Sequence, residues 1–500
     1  MSVDISRVSF DPSKHYSRIV HQQGRVTLDA DANEQTAVLL HYLRTVVADV
    51  LGPAAVPRGA PGFSVARIPQ DPDRDLAIGA GRLYVDGLLV ENDVPTTYLT
   101  QPEGHVDPET APVPAGPALV YLRAWEREVT VIQDPAIREI ALGGSGPDTA
   151  ARARVVWQVV LHGFGERDPD PGAAEAPAWF RSWLDGLYRP AGRLAARAGY
   201  EPAAPSDPCA VAPRPRFRGP ENQLYRVQVH TSGAGLLPGA DPARPEVRTR
   251  RGRGAGRAAE PVATFVWSRE NASVALPVTS VAGPVVTVEG WGRDHRLGLD
   301  VGDLVELVDD AAAVHVADEV PGGPPQGVHR IVAVDVPGRT LTLDADPNAG
   351  PPGGQPPPQV GGDPELHPYL RRWDHRPPRG EDALPVVLDT WIALEDGVEV
   401  RFEAPRRPTA AGPDGEPGPD GQRGPDGQRT AGHFRRGDHW LVPARTIPGD
   451  VLWPQGEDGP AAVEPHGVVY RYAPLAYLPA GEGDPVPLVP AFSPLFPPAG

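Results

Sequence analysis

The 500-residue chain carries 47 Lys and Arg against 65 Asp and Glu, and its net charge of −18 disfavours nucleic acid and anionic membrane as default partners. Its length allows about three domains, and 40% hydrophobic residues suffice for packed cores. The 56 Gly and 64 Pro put it just short of low-complexity composition, so compact β-rich modules joined by long stiff loops are expected.

Single-residue counts exclude further classes. Lys14 is the one lysine, so no Walker A lysine, no Schiff-base lysine further along and no kinase-type ATP lysine exists. Cys209 is the one cysteine; it forbids an intrachain disulfide and paired-cysteine zinc sites, fits a reducing compartment, and reads as a small buried hydrophobe. Asp4, Arg7 and Asp11 break any apolar leader, and His41, Arg44 and Asp49 interrupt the apolar stretch from Ala37 to Leu51. The expectation is a soluble, cytoplasmic chain without a signal segment or membrane insertion.

Residues 1–52 read as an extended arm, with β-type alternation over Gly24–Leu28, followed by a helix. Asp31 is expected at its N-cap with Glu34 completing a capping box, and Gly52-Pro53 at its end. Leu39, Leu43, Val46, Val47 and Val50 follow at helical spacing, an apolar stripe expected to be buried against the chain's own β-domain or a neighbour. Residues 53–162 form a β-domain with a hairpin at Asp86-Gly87, because both turn positions favour positive φ. Residues 163–220 are a Pro/Gly-rich connector with a short helical patch at Trp179–Leu184. Residues 221–346 form a second β region, with an Arg/Gly loop at 244–257 and a small barrel at about 297–346. A linker over 347–385 leads to a third β region, 386–476, with a turn at Glu395-Asp396-Gly397, and a Pro-rich tail over 477–500 lies extended over the surface. Within 412–429 glycine recurs every third residue, as in collagen; six triplets are few for a triple helix, and a polyproline II loop is the plainer reading. The fold class is therefore mainly β: several small antiparallel sandwich or barrel modules, one N-terminal amphipathic helix and long Pro/Gly-rich loops.

No catalytic constellation stands out. Asp29-Ala30-Asp31-Ala32-Asn33 begins like a calcium loop but has Glu34 and Leu40 where that loop needs Gly and Glu. Asp344 and Asp346 read as turn formers. Gly143–Gly146 lacks the Lys and Ser/Thr of a phosphate loop, and GxSxG, HExxH and CxxC are missing from the sequence. His433 and His439 could converge on a metal, but polar edge-strand positions explain them better. The Arg loop has no interleaved aromatics and reads as a solvated insertion or a contact to an acidic protein. Asp309-Asp310 and Glu395-Asp396 are paired carboxylates in turns. Neither a catalytic residue nor a cofactor or metal is expected.

Several strings resemble one family. Phe10-Asp11-Pro12 with Lys14–Arg18, Gln22–Val26 and Leu28–Asp31 with Asn33–Gln35 look like the opening of an uncharacterised bacterial domain family. The likeness continues through Trp125–Val129, Arg138-Glu139, Ala141–Gly144, Arg154–Val159, Arg218-Gly219, Glu221–Val227 and Trp267–Asn271. It ends with Leu394–Val398, Gly437–Arg445 and Tyr472–Ala476. Members of that family turn up in gene clusters for phage-tail-like contractile injection systems. The resemblance implies a non-enzymatic structural component of such a particle, at or around the baseplate. It would act through protein–protein contacts with other subunits and be present in multiple copies. The alternative is a glycan-binding or glycan-cleaving tail protein using aromatic platforms and acidic pairs. For the structural role the arm is the expected attachment element, and the expected partner interface comprises Lys14, His15, Tyr16, Arg18, Gln22, Gln23, Arg25, Leu39, Leu43 and Val47.

Overall fold

Alternation of apolar and polar side chains, as in Val398–Glu403 with Val398, Val400 and Phe402 buried, builds most of the chain into antiparallel sheets. The computed structural model describes residues 2–69, 74–106, 108, 112–142, 148–166, 168–187, 192–199, 216–239, 261–292, 297–314, 327–349, 359–378, 381–404, 433–481 and 483–493. Cys209, the Gly143–Gly146 loop, the Arg loop 244–257 and the triplet insert 412–429 lie outside these residues. The fold is mainly β with few helices.

The first module is a two-sheet sandwich. One sheet holds Ala54–Pro57, Gly81–Val85 and Leu88–Asn92, with Ala491–Phe492 running parallel along its edge. The other holds Arg152–Gly163, Ala118–Val129, Arg471–Leu478 and Val486–Pro487. Leu83, Val85 and Val90 meet Val120, Leu122 and Leu475 in a shared core. The tail therefore pairs into the first module at two points. Helix α1 (Asp29–Leu51) precedes this module. Helix α2 (Gly172–Leu187), longer than the expected patch, sets Trp179, Phe180 and Trp183 against Tyr121 and Tyr472 of the second sheet.

The second and third β regions of the sequence reading share one sandwich. Gln223–Thr231 lies between Thr264–Ser268 and His439–Arg445, with Tyr225 opposite Val442. A facing sheet of Trp391–Ala393, Val398–Glu403 and Arg193–Ala198 closes the core over Val227, Phe265, Phe402 and Trp440.

The small barrel differs from its expected bounds of 297–346. It is a closed barrel of Ala275–Ala282, Val285–Val288, Thr340–Leu343, Val328–Asp335, Leu304–Val308 and Tyr369–Trp373. Residues read as a linker supply its closing strand, with Leu276 opposite Leu370, and Val360 is buried in its core. The three modules are thus nested: the barrel interrupts the second sandwich, which in turn interrupts the first.

Ion pairs, buried around Arg372 and half-buried at Arg269, hold the inserted barrel. Arg372 lies 3.2 Å from both Glu270 and Asp374, and Arg269 lies 3.0 Å from Glu395, which also accepts from the Tyr225 hydroxyl. Burial pushes the Glu270 carboxyl up to about 7, with Arg372 opposing it.

Candidate docking surface

The arm divides into a clasp and a largely exposed stretch, which the Ile19 N–H holds to α1 by donating to Gln35 Oε1 at 2.7 Å. Ser2 N–H donates to Glu128 of the first sandwich, and Asn271 at the barrel entrance donates its side-chain amide to Val3 O at 2.8 Å. Arg445 of the second sandwich donates to Ser6 O at 2.7 Å, while Ser6 donates through N–H and Oγ to Asp29 of α1. Residues 2–6 therefore tie α1 and both sandwiches to the barrel entrance. Burial opposes ionisation of Glu128, but the hydrogen bond from the Ser2 N–H and the Arg371 guanidinium oppose it in turn, and the carboxyl is held down at about 2. Burial likewise opposes ionisation of Asp29, and the two Ser6 hydrogen bonds lower its pKa in spite of it.

This corrects the expectation that the whole arm adds to another surface, since its first residues belong to the chain's own fold. The clasp was missed because its partners lie far apart in sequence. A signal was present: Glu128, Asn271 and Arg445 each fall in a string that carries the family resemblance, and those strings meet in space around residues 2–6.

Beyond the clasp, residues 12–28 lie largely exposed, with a short turn at Pro12–Lys14 capped by the Asp11 carboxylate. Lys14, His15, Tyr16, Arg18, Gln22, Gln23 and Arg25 are all exposed, and Gly24–Leu28 forms no strand despite its alternation. No neighbouring edge pairs with it among the described residues. Arg7, Lys14, Arg18 and Arg25 against Asp11 make residues 7–28 a basic segment in a chain of net charge −18.

α1 opens one turn earlier than expected. Leu28 is the N-cap, Asp31 sits at the third helical position accepting the Leu28 N–H, and Glu34 accepts from Ser9 Oγ of the arm. Asp29 and Asp31 also suit the positive end of the helix dipole. One face lies on the body: Ala30 and Val38 are buried, Arg44 pairs with Glu126 at 2.8 Å, and Ala37 and Ala48 are half-buried. Contact is close at the hairpin Asp86-Gly87, where φ is 44° and 77°. A Cβ on Gly87 would stand 2.1 Å from Arg44 O, so glycine serves both the turn and the helix above it.

The other face is bare. Leu39 and Leu43 are each 57% exposed, Val46 41%, Val50 72% and Tyr42 71%, while Val47 at the margin is half-buried. The expected stripe exists but turns away from its own β-domain. Its period was legible from sequence; its direction depended on which opposing face could approach the Gly87 turn.

A second feature is a cavity of about 550 Å³ between the first sandwich and the barrel, lined in part by Glu103, His105, Arg127, Arg154, Asp310 and His367. Arg127 bridges Glu103 at 3.5 Å and Asp310 at 3.2 Å, and His367 Nδ1 donates to Asp310 at 2.9 Å. These charges are paired across the junction, which makes it a joint between modules. Asp309 beside it caps the short helix α3 (Asp310–Val314) through the Ala312 N–H, and burial raises its pKa. His439 is buried beside His466, and among the described residues no group of three His, Cys, Asp or Glu could hold a metal ion. Trp179 and Trp183, stacked 5.7 Å apart, are committed to the packing of α2, and Trp373 and Trp440 to cores.

A family model matches residues 1–170 and 190–412. The chain belongs to DUF6519, a family of unknown function. The DUF6519 match takes in the arm, the whole of α1, the barrel and most of both sandwiches. No curated protein and no solved structure matches the chain. Among the described residues no helix is long and apolar enough to cross a membrane.

Proposed function

We propose that this DUF6519 chain is a structural, non-enzymatic component of a phage-tail-like contractile injection particle, at or around its baseplate, assembled in the cytoplasm from several copies. The observation that carries the docking part of this reading is the bare face of α1. Five large apolar side chains on one helix face, beside a basic exposed segment, form a contiguous patch of the kind that marks protein contact. The particle itself is supported by the strings around the arm and clasp, which resemble a family found in such gene clusters. The nested fold suits the role: a body cross-tied at its module junctions can hold a docking helix in fixed orientation. Particles isolated from the producing bacterium test the reading, because they should contain this chain in fixed stoichiometry.

A further inference from the structure

The chain returns from the barrel to the second sandwich between Trp373 and Leu384, and buried histidines meet at this crossing. Trp373 and Ala383 at its two ends are buried together with Val266 of the sandwich and Leu304 and Val328 of the barrel. Between them His375, only 2% exposed, places Nε2 at 2.7 Å from the Asp382 carbonyl oxygen. A carbonyl only accepts, so Nε2 carries the ring proton and Nδ1 the lone pair. Nδ1 is itself buried and has no hydrogen-bond partner among the described residues. His230, 4% exposed on the sandwich strand Gln223–Thr231, faces the same ring.

The site therefore suits a neutral imidazole and opposes an imidazolium. A second proton would go to Nδ1, where a buried donor and a full charge would both lack a partner. The carboxylates nearby are spent elsewhere. Asp374 is engaged by Arg269 and Arg372, and Glu306, which faces His230 from the barrel, accepts from Trp373 Nε1. Asp382 faces both rings but is itself exposed and holds His375 through its backbone. Arg436 adds positive charge opposite His230. His329 of the barrel, on the far side of this cluster, is paired with Asp344 at 3.6 Å, with Asp346 and Asp382 also bearing on it.

We infer that His375 and His230 form an acid-released catch: when they take up protons, His375 leaves its site, the crossing over residues 374–382 opens, and the barrel loosens on the second sandwich while both sandwiches stay folded. The bond to Asp382 O closes this crossing into a loop, so it is lost with the ring. The entrance crossing, residues 269–274, contains no histidine and keeps the barrel tethered. Burial lowers the pKa of both rings, that of His375 to about 4, so the catch is closed above pH 6.5 and is released as pH falls through about 4.

Hydrogen exchange of the full chain between pH 7 and pH 4, read by mass spectrometry and corrected for intrinsic rates, tests this. Protection of residues 369–384 should fall on the order of a hundredfold, while Ala118–Val129 of the first sandwich keeps its protection. His375→Gln, which still donates to Asp382 O and takes up no proton, should abolish most of the fall, with melting at pH 7 checking that it folds. His230→Gln should reduce the fall and serves in its place if His375→Gln does not fold. Loss of protection in step across both segments is general acid unfolding and overturns the inference. A fall that persists in the folded variants overturns it as well, by assigning the opening to carboxylates, and so does full protection of residues 369–384 at pH 4.

Discussion

At Gly87, backbone conformation and a close approach coincide, and their contributions can be separated. Gly24 has a similar φ of 70° with nothing near a Cβ, whereas Gly87 has φ of 77° with Arg44 O in the way. Gly24→Ala should therefore cost only the left-handed strain, about 1 kcal/mol. Gly87→Ala should cost more, roughly 2–4 kcal/mol, by adding the displacement of α1. Denaturant melts of the two variants give the comparison, and equal losses would contradict the packing described for α1. Buried histidines supply a second residue-scale prediction. Burial lowers the pKa of His230, His375 and His439, and takes His375 from 6.5 to about 4. A depressed folded-state pKa means that the unfolded chain takes up the proton first. The His375 contribution is therefore full above pH 6.5 and is lost as pH falls through about 4, amounting to about 3 kcal/mol over that window. His375→Gln, which can still donate to Asp382 O, should lose less melting temperature than wild type between pH 6.5 and 4. Parallel profiles would contradict the assignment.

At the scale of elements, the legible features were those whose causes are local. The hairpins at Asp86-Gly87 and Asp396-Gly397 follow from positive φ at both turn residues, and the end of α1 at Gly52 from a glycine in that same region. The barrel bounds were not legible, because Tyr369–Trp373 closes on strands up to about a hundred residues earlier and no local pattern encodes that pairing. The arm was half legible. Residues 12–28 stay largely exposed, while the clasp is a handful of hydrogen bonds to α1 and to strand and turn residues far along the chain. Deleting residues 1–6 strips Glu128, Asn271 and Asp29 of their arm contacts and leaves a buried carboxylate poorly compensated. The expected loss is on the order of 3 kcal/mol, measured by urea unfolding. If the truncated chain keeps wild-type stability, the clasp contributes nothing and the whole arm is free to attach elsewhere.

On the scale of the whole molecule, nesting gives each module two covalent crossings to the next; the ion pairs of Arg269 and Arg372 lie where the chain passes between the second sandwich and the barrel, and the bridge of Arg127 ties the first sandwich to the barrel, which no chain crossing joins. An assembly subunit benefits from such bracing, because a docking helix transmits force only if the body behind it keeps its shape. The central claim is that the chain enters a contractile particle through the bare face of α1. The most direct test is to isolate particles from cells whose only copy of this chain carries Leu43→Asp/Val46→Asp, and to quantify the chain in them by mass spectrometry. The account predicts that wild-type particles contain the chain and that variant particles lack it, while the free variant melts at the wild-type temperature. Particles that contain the variant at the wild-type level, or wild-type particles without the chain, would contradict it.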